Sequence, residues 1–135
     1  MTLMLTLLEE HWVLFAAYLI LNIVDTLTGW LKSRILKTES SKVGLIGVIK
    51  KVCCWIIILL GFLIPICFRE LGMIINVDLS ATVFLGWFVL ASLVVNEIRS
   101  ILENLVESGV KVPEILVKGL DSISKKLECE DINNE

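Results

Sequence analysis

The chain has 135 residues, of which 56% are hydrophobic and 20% charged, and its mean hydropathy is +0.85. Ordinary soluble domains are about 45–50% apolar and about 25% charged, so this composition argues against a soluble domain and for a membrane protein. The net charge is −3. The length leaves room for a single domain, residues 1–135, but not for a membrane unit with a separate enzyme.

Three apolar segments predict three membrane-spanning helices. The central one, Val52–Phe68, has no ionisable side chain apart from cysteines. As a helix it would span roughly 26 Å, near the short limit for a bilayer. A chain of this length has too little other mass to bury a helix with no polar face in a soluble core. The spans are predicted at residues 12–31, 52–68 and 79–97, in an all-α membrane protein that also has a C-terminal amphipathic helix.

Polar residues interrupt the second half of the first span. Asn22, Asp25 and Gly29 recur about one turn apart and share a helix face, and Thr28 lies beside them. An ionised Asp near the centre of a span costs about 2.5–3.5 kcal/mol, so this face should meet a partner helix or water. The alternative is that Asp25 lies at the cytoplasmic headgroups and is solvated. We name Asn22, Asp25 and Thr28 the polar stripe and predict that it lines a pore.

A basic segment, residues 32–51, follows and is predicted to be a cytoplasmic loop. Lysine and arginine in a short loop place it inside, which puts the N-terminus and residues 69–78 outside and the C-terminus in the cytoplasm. Contact with anionic lipid is a compatible second role. No aromatic residues interleave the charges, so nucleic acid is not an expected partner. Ser40 and Ser41 are candidate N-caps for the next helix. The bases are Lys32, Arg34, Lys37, Lys42, Lys50 and Lys51.

The third span is predicted to continue into the cytoplasm as an amphipathic tail, residues 98–127. Ile101 and its apolar neighbours keep helical spacing, whereas Glu97 is expected on another face. Gly109 is a stop signal, and Pro113 suits the first turn of a further helix. The acidic end, residues 128–135, is expected to be disordered. Small residues expected to pack helices together are Gly29, Gly61, Gly86 and Ala91.

No catalytic, cofactor or metal site is predicted. The single histidine, His11, has no evident partner in sequence, and no nucleotide-binding, HExxH or GxSxG motif occurs. The four cysteines form no CxxC pair and have no histidine nearby, so a zinc site is not expected. We therefore expect neither an enzyme nor a cofactor.

The order of several short motifs over residues 15–127 resembles the toxin-secretion/phage-lysis holin family. This resemblance implies a small protein that forms homo-oligomers in the bacterial cytoplasmic membrane. It implies lesions that release an endolysin or a toxin, without a required direct contact with that cargo. The motifs are Asp25-Thr26-Leu27-Thr28-Gly29, Ser40-Ser41-Lys42-Val43-Gly44-Leu45-Ile46-Gly47, Lys50-Lys51, Asn96-Glu97, Ser100-Ile101-Leu102-Glu103-Asn104, Gly109 and Pro113.

Two other functions are compatible with the sequence. The chain could be a membrane anchor or assembly protein whose C-terminal helix docks a soluble partner. It could also be a small ion channel, which would pass ions but retain folded proteins.

Overall fold

The computed structural model contains four helices joined by short connections, and it describes the backbone of residues 2–133 and the side chains of residues 10–127 apart from Ser124. Within these residues every regular element is helical, and three helices are long and apolar enough to cross a membrane. The predicted fold class is therefore confirmed. The helices are α1 (Thr2–Ile35), α2 (Ser41–Ile75), α3 (Phe84–Glu107) and α4 (Glu114–Asn133), with a 3-10 turn at Ser80–Val83 before α3.

Helix α2 extends beyond the predicted second span at both ends. Its N-cap is Ser40, one of the two predicted candidates, although the Ser40 hydroxyl makes no capping bond. Residues 69–75, predicted as a turn, are helical: the segment contains no proline, Gly72 is accommodated inside the helix, and the helix ends at Asn76, which adopts a left-handed conformation with φ 55°. With 35 residues, α2 is about 52 Å long and exceeds the roughly 30 Å of bilayer hydrocarbon.

The polypeptide turns sharply between α2 and α3. Asp78 accepts a hydrogen bond from the backbone N–H of Ser80 at 2.9 Å. This bond stabilises the ionised carboxylate and lowers the pKa of Asp78. Gly72 makes room for the returning chain, because a Cβ at this position would lie 2.5 Å from the carbonyl oxygen of Val77.

Helix α3 runs past the third span to Glu107, and the chain then breaks where the sequence predicts. Gly109 has φ 88°, a conformation that favours glycine, and α4 begins directly after Pro113. The prediction that residues 128–135 are disordered is wrong for most of this acidic end, because α4 continues to Asn133. Residues 134 and 135 lie outside the described part of the chain.

Helix α3 lies between α1 and α2 and contacts both, whereas α1 and α2 meet mainly through large side chains. The rings of Tyr18 and Trp55 lie 5.1 Å apart, and those of Phe15 and Phe62 lie 5.5 Å apart. The buried core is small and occupies the middle of the three spans. It consists of Tyr18, Ile58, Phe62 and Leu90.

The backbones of α2 and α3 approach closely at two glycines. A Cβ on Gly86 would lie 2.7 Å from the ring of Phe62, and one on Gly61 would lie 3.2 Å from the Cα of Gly86. A Cβ on Gly29 would meet only Asn104, at 3.5 Å, and Ala91 is exposed. Gly61 and Gly86 therefore lie at a contact within one chain, and Ala91 lies on the outer surface of α3.

We expect Gly86→Ala to destabilise the fold by about 1–3 kcal/mol, because the new methyl group overlaps the base of the Phe62 ring. The matched control is Gly47→Ala on α2, where a Cβ would meet no atom within 4 Å. This control should be neutral or stabilising by up to about 1 kcal/mol. Denaturant midpoints in detergent micelles measure both changes. Equal midpoints for the two variants would contradict the close α2–α3 contact.

Candidate functional site

The polar stripe of α1 faces the other helices of the same chain. Asn22 is 6% exposed, and its side-chain amide donates a hydrogen bond to the carbonyl oxygen of Tyr18 at 2.8 Å. Thr28 is half-buried and donates its hydroxyl proton to the carbonyl oxygen of Asp25. Asp25 itself points toward α2 and α3. The stripe is thus covered by protein in the single chain.

One lysine joins Asp25 to a second carboxylate. The ammonium of Lys51, on α2, lies 2.8 Å from Oδ2 of Asp25 and 2.6 Å from Oε2 of Glu97 on α3. All three side chains are mostly buried, with exposed fractions of 19% for Lys51, 15% for Asp25 and 8% for Glu97. When all three groups are ionised, two negative charges face one positive charge, so the group carries a net charge of −1.

An asparagine completes the arrangement. The side-chain amide of Asn104, on α3, donates to Oδ1 of Asp25 at 3.0 Å and lies 3.3 Å from the hydroxyl of Thr28. Both carboxylate oxygens of Asp25 therefore have a partner, one from each neighbouring helix. We name Asp25, Lys51, Glu97 and Asn104 the polar cluster.

The spacing along α3 explains why Glu97 and Asn104 enter this cluster. Leu90, Glu97, Ile101 and Asn104 are separated by three, four or seven residues, so they lie on one helix face, and all four are buried. The expectation that Glu97 occupies a different face from Ile101 is wrong. The i, i+4, i+7 spacing of Glu97, Ile101 and Asn104 is the sequence signal that could have found it.

The bases of residues 32–51 differ in their surroundings. Lys32 pairs with Glu107 of α3 at 3.2 Å, and Arg34 pairs with Glu39 at 2.9 Å and lies over the Trp30 ring. Three further bases are exposed: Lys37, Lys42 and Lys50. Lys51 differs from these because it lies inside α2, one residue before the apolar stretch, and its ammonium turns inward to the polar cluster.

The polar cluster lies at the edge of the apolar part of the bundle. Asp25 precedes Trp30 by five residues, about 7.5 Å along the helix axis. Lys51 directly precedes Val52, where the uncharged stretch of α2 begins. The cluster thus lies where the uncharged stretch of α2 begins, and its side chains contact neighbouring helices instead of being fully solvated.

Among the described side chains of α1, two buried polar atoms lie deeper in the bundle and have no hydrogen-bond partner. They are the hydroxyl oxygen of Tyr18, whose side chain is fully buried, and Oδ1 of Asn22. Each such atom costs about 1–3 kcal/mol relative to a satisfied one. Tyr18, Asn22 and Asp25 follow one another at one-turn spacing, so polar atoms extend along α1 from the cluster into the core.

Comparison with known proteins identifies the family. A model of the bacteriophage holin family matches residues 2–125. The chain belongs to the bacteriophage holin family. This is a family of non-enzymatic membrane proteins, and the three long apolar helices agree with a membrane-embedded holin. No solved structure gives a significant match to this holin.

Similar proteins occur in several bacteria. An uncharacterized protein of Halalkalibacterium halodurans is 29% identical over 111 residues, which are 82% of this chain and 78% of that protein. Uncharacterized proteins of Listeria monocytogenes and Listeria innocua are each 38% identical over 94 residues, or 70% of this chain. The matched region is 59% of the length of each Listeria protein.

We expect Asn104→Leu to destabilise the holin by about 1–3 kcal/mol, because Oδ1 of Asp25 loses its buried donor while the side-chain volume is kept. The matched control is Asn96→Leu, the same change at an exposed position of α3. Denaturant unfolding in detergent, followed by tryptophan fluorescence, compares the two. A similar midpoint for both variants would mean that the Asn104 bond contributes nothing to α1–α3 packing.

Proposed function

We propose that this holin forms homo-oligomers in the bacterial cytoplasmic membrane and opens non-specific lesions that release an endolysin or a protein toxin. The membership of residues 2–125 in the holin family carries this proposal. The basic segment supports an orientation with the N-terminus outside and the C-terminus in the cytoplasm. Lipid is the surrounding partner, and the cargo needs no direct contact with the holin.

The limited internal packing of the spans supports assembly between copies. Only 17–22% of the most apolar window of each spanning helix is buried within the chain. Much of each helix surface therefore remains for lipid or for other copies. Gly61 and Gly86 are already used in the α2–α3 contact, whereas Ala91 lies on the exposed side of α3. We propose that contacts between copies use the Ala91 face, where a small residue permits close approach.

Water inside a lesion requires polar surface, and the polar stripe is the surface that the spans offer. Three helices are too few to enclose a water path, so the stripe can border one only when several copies associate. We propose that Asn22, Asp25 and Thr28 hydrate the opening. Unpaired polar side chains in lipid are costly, so an assembly that turns them toward water is favoured over one that turns them toward lipid.

Expression in a bacterium tests this function. We expect potassium efflux and escape of a folded cytoplasmic enzyme to begin together, abruptly and after a delay. Potassium loss without enzyme escape would indicate a small ion channel instead. A protein that accumulates in the membrane while neither potassium nor enzyme leaves the cell would contradict the holin function.

The role of the stripe is tested by Asp25→Asn. We expect this variant to shift the onset of enzyme release, because it removes the charge from a stripe residue while keeping its shape. Glu103→Gln is the matched control, since Glu103 is an exposed carboxylate of α3 outside the polar cluster. Its onset should match that of the parent protein. If the onset is unchanged for Asp25→Asn at equal protein levels, the polar stripe does not take part in lesion formation.

A docking role for the C-terminal region is the second candidate, and the contact between α3 and α4 favours it. Arg99 pairs with Asp121 at 2.8 Å, and the two helices border an open cleft of about 500 Å³. Ile115 on α4 is 78% exposed, so α4 also presents an apolar surface. Deletion of residues 108–135 separates the candidates. A docking protein would lose activity, whereas a lesion-forming protein should still damage the membrane and change mainly in timing.

A further inference from the structure

The contact between α1 and α2 is the weakest among the three spans. Helix α3 packs against both, but α1 and α2 approach each other chiefly through the Tyr18–Trp55 and Phe15–Phe62 ring pairs. Among the described side chains, the pair between Lys51 and Asp25 is the one salt bridge that joins α1 to α2, and the thiol of Cys54 on α2 lies close to the Tyr18 hydroxyl. The attachment of α2 to α1 therefore depends on a single ion pair and a few aromatic rings.

Helix α1 is held to α3 more firmly, by polar contacts in addition to packing. Asn104 bonds Asp25 and lies beside Thr28, and Lys32 pairs with Glu107. None of these contacts involves α2. If α2 moved away, α1 and α3 would keep both their packing and these bonds.

Helix α2 packs over a polar side chain of α1 without giving it a well-formed hydrogen bond. The Tyr18 hydroxyl and Oδ1 of Asn22 are buried without a partner of good geometry, and Trp55 of α2 packs on the Tyr18 ring. If α2 moved away, water could bond the Tyr18 hydroxyl, which lowers the cost of separation. The same movement would uncover Asp25 and Glu97, both of which bind the ammonium of Lys51.

We propose that α2 is a releasable cover over the polar face of α1 and α3, and that Lys51 is the latch that holds it closed. Release separates Lys51 from Asp25 and Glu97, and the uncovered face then borders the lesion. The base leaves with α2, so the exposed face keeps two carboxylates and hydrates strongly. This inference rests on the proposed lesion-forming function and adds the step that controls it.

The location of Lys51 makes this release feasible. Its ammonium lies at the edge of the apolar stretch, so its flexible stem can carry the charge to the headgroup region as α2 moves. A lysine in the middle of the span would have to cross hydrocarbon without a partner. The pair can therefore break without leaving a cation in lipid.

Thiol accessibility tests the cover directly. In a background with Cys53, Cys54, Cys67 and Cys129 changed to Ser, Asn22→Cys places a thiol at a buried position of α1, one turn after Tyr18. Membranes from cells before and after lesion formation are broken open and treated with a charged maleimide, which then reaches both faces. We expect the thiol at position 22 to be labelled only after lesion formation.

Two control positions calibrate the labelling. Ile20→Cys lies on the exposed, lipid-facing side of α1 and should stay unlabelled in both samples. Lys42→Cys lies at the exposed start of α2 and should be labelled in both. Enzyme release while the thiol at position 22 stays unlabelled would overturn the cover, and the lesion-forming function would stand.

The latch is tested by its timing. We expect Lys51→Met to release enzyme earlier and to raise labelling at position 22 before release by about tenfold, the scale of a typical conformational coupling. Lys50→Met removes the same charge from the exposed neighbouring residue and should leave both measurements unchanged. Equal effects of the two changes would overturn the latch, because Lys51 would then act only as one of the basic residues that orient the protein in the membrane.

A second variant keeps the test decisive if Lys51→Met fails to accumulate in the membrane. Glu97→Gln removes one of the two ion pairs of Lys51 and leaves the pair with Asp25, so enzyme release should come earlier and labelling at position 22 before release should rise. Release at the time of the parent protein, or later, would overturn the latch. If the parent protein releases no enzyme at all, the lesion-forming function fails, and labelling at position 22 still reports whether α2 separates from α1.

Discussion

The ammonium of Lys51, placed between the carboxylates of Asp25 and Glu97, is the contact on which the arrangement of the three spans depends. Each spanning helix contributes one of the three charges. Apolar helices in lipid have no strong preference for one rotation about their axes, because most of their faces are equally apolar. A buried charge has such a preference, because turning it toward lipid leaves it unpaired. The cluster thus fixes which face each helix presents to the others.

The two partners of α3 are bound by different kinds of contact. Against α2 the backbone itself comes close, since a Cβ on Gly86 would overlap the Phe62 ring and one on Gly61 would lie 3.2 Å from the Cα of Gly86. Against α1 the contact includes hydrogen bonds from Asn104. Between α1 and α2 large rings fill the space, and close backbone contacts are much fewer than at either contact of α3. Helix α3 is consequently the centre of the fold, and the seam between α1 and α2 is its least constrained part.

Sequence patterns predict the elements better than they predict the site. The helical class, the three spans and the break at Gly109 and Pro113 follow from hydropathy and local backbone preferences. The predicted second span is shorter than α2 because the charges of Arg69 and Glu70 resemble a loop, although residues 69–75 contain no proline and the helix continues through Gly72 to Ile75. Charge near an apolar segment shows where the polar environment begins, but it does not determine where a helix ends.

The polar stripe shows a similar division. Its residues are evident from spacing on α1, but the partners of Asp25 lie 26 and 79 residues away along the chain. Lys51 is one of six bases in a segment whose composition already accounts for topology, so nothing local distinguishes it from Lys50. Glu97 looks like a solvated charge until its register with Ile101 and Asn104 is considered. Pairings of this kind depend on how helices are rotated against each other. The periodicity of one helix shows which residues share a face, but not which face of another helix that face meets.

In the single chain, Asp25 of the polar stripe is fully paired with protein groups, which does not suit a surface that borders water. The charges and unsatisfied atoms around it nevertheless allow water to replace these protein contacts. The cluster holds one more carboxylate than ammonium, and Tyr18 and Asn22 each leave a polar atom unsatisfied. Water could solvate the excess carboxylate and bond the two unsatisfied atoms, whereas closer packing of α2 could do neither. In the proposed lesion, association would bring the polar faces of several copies around a common water-filled space. The same residues that hold one chain closed would then favour its opening.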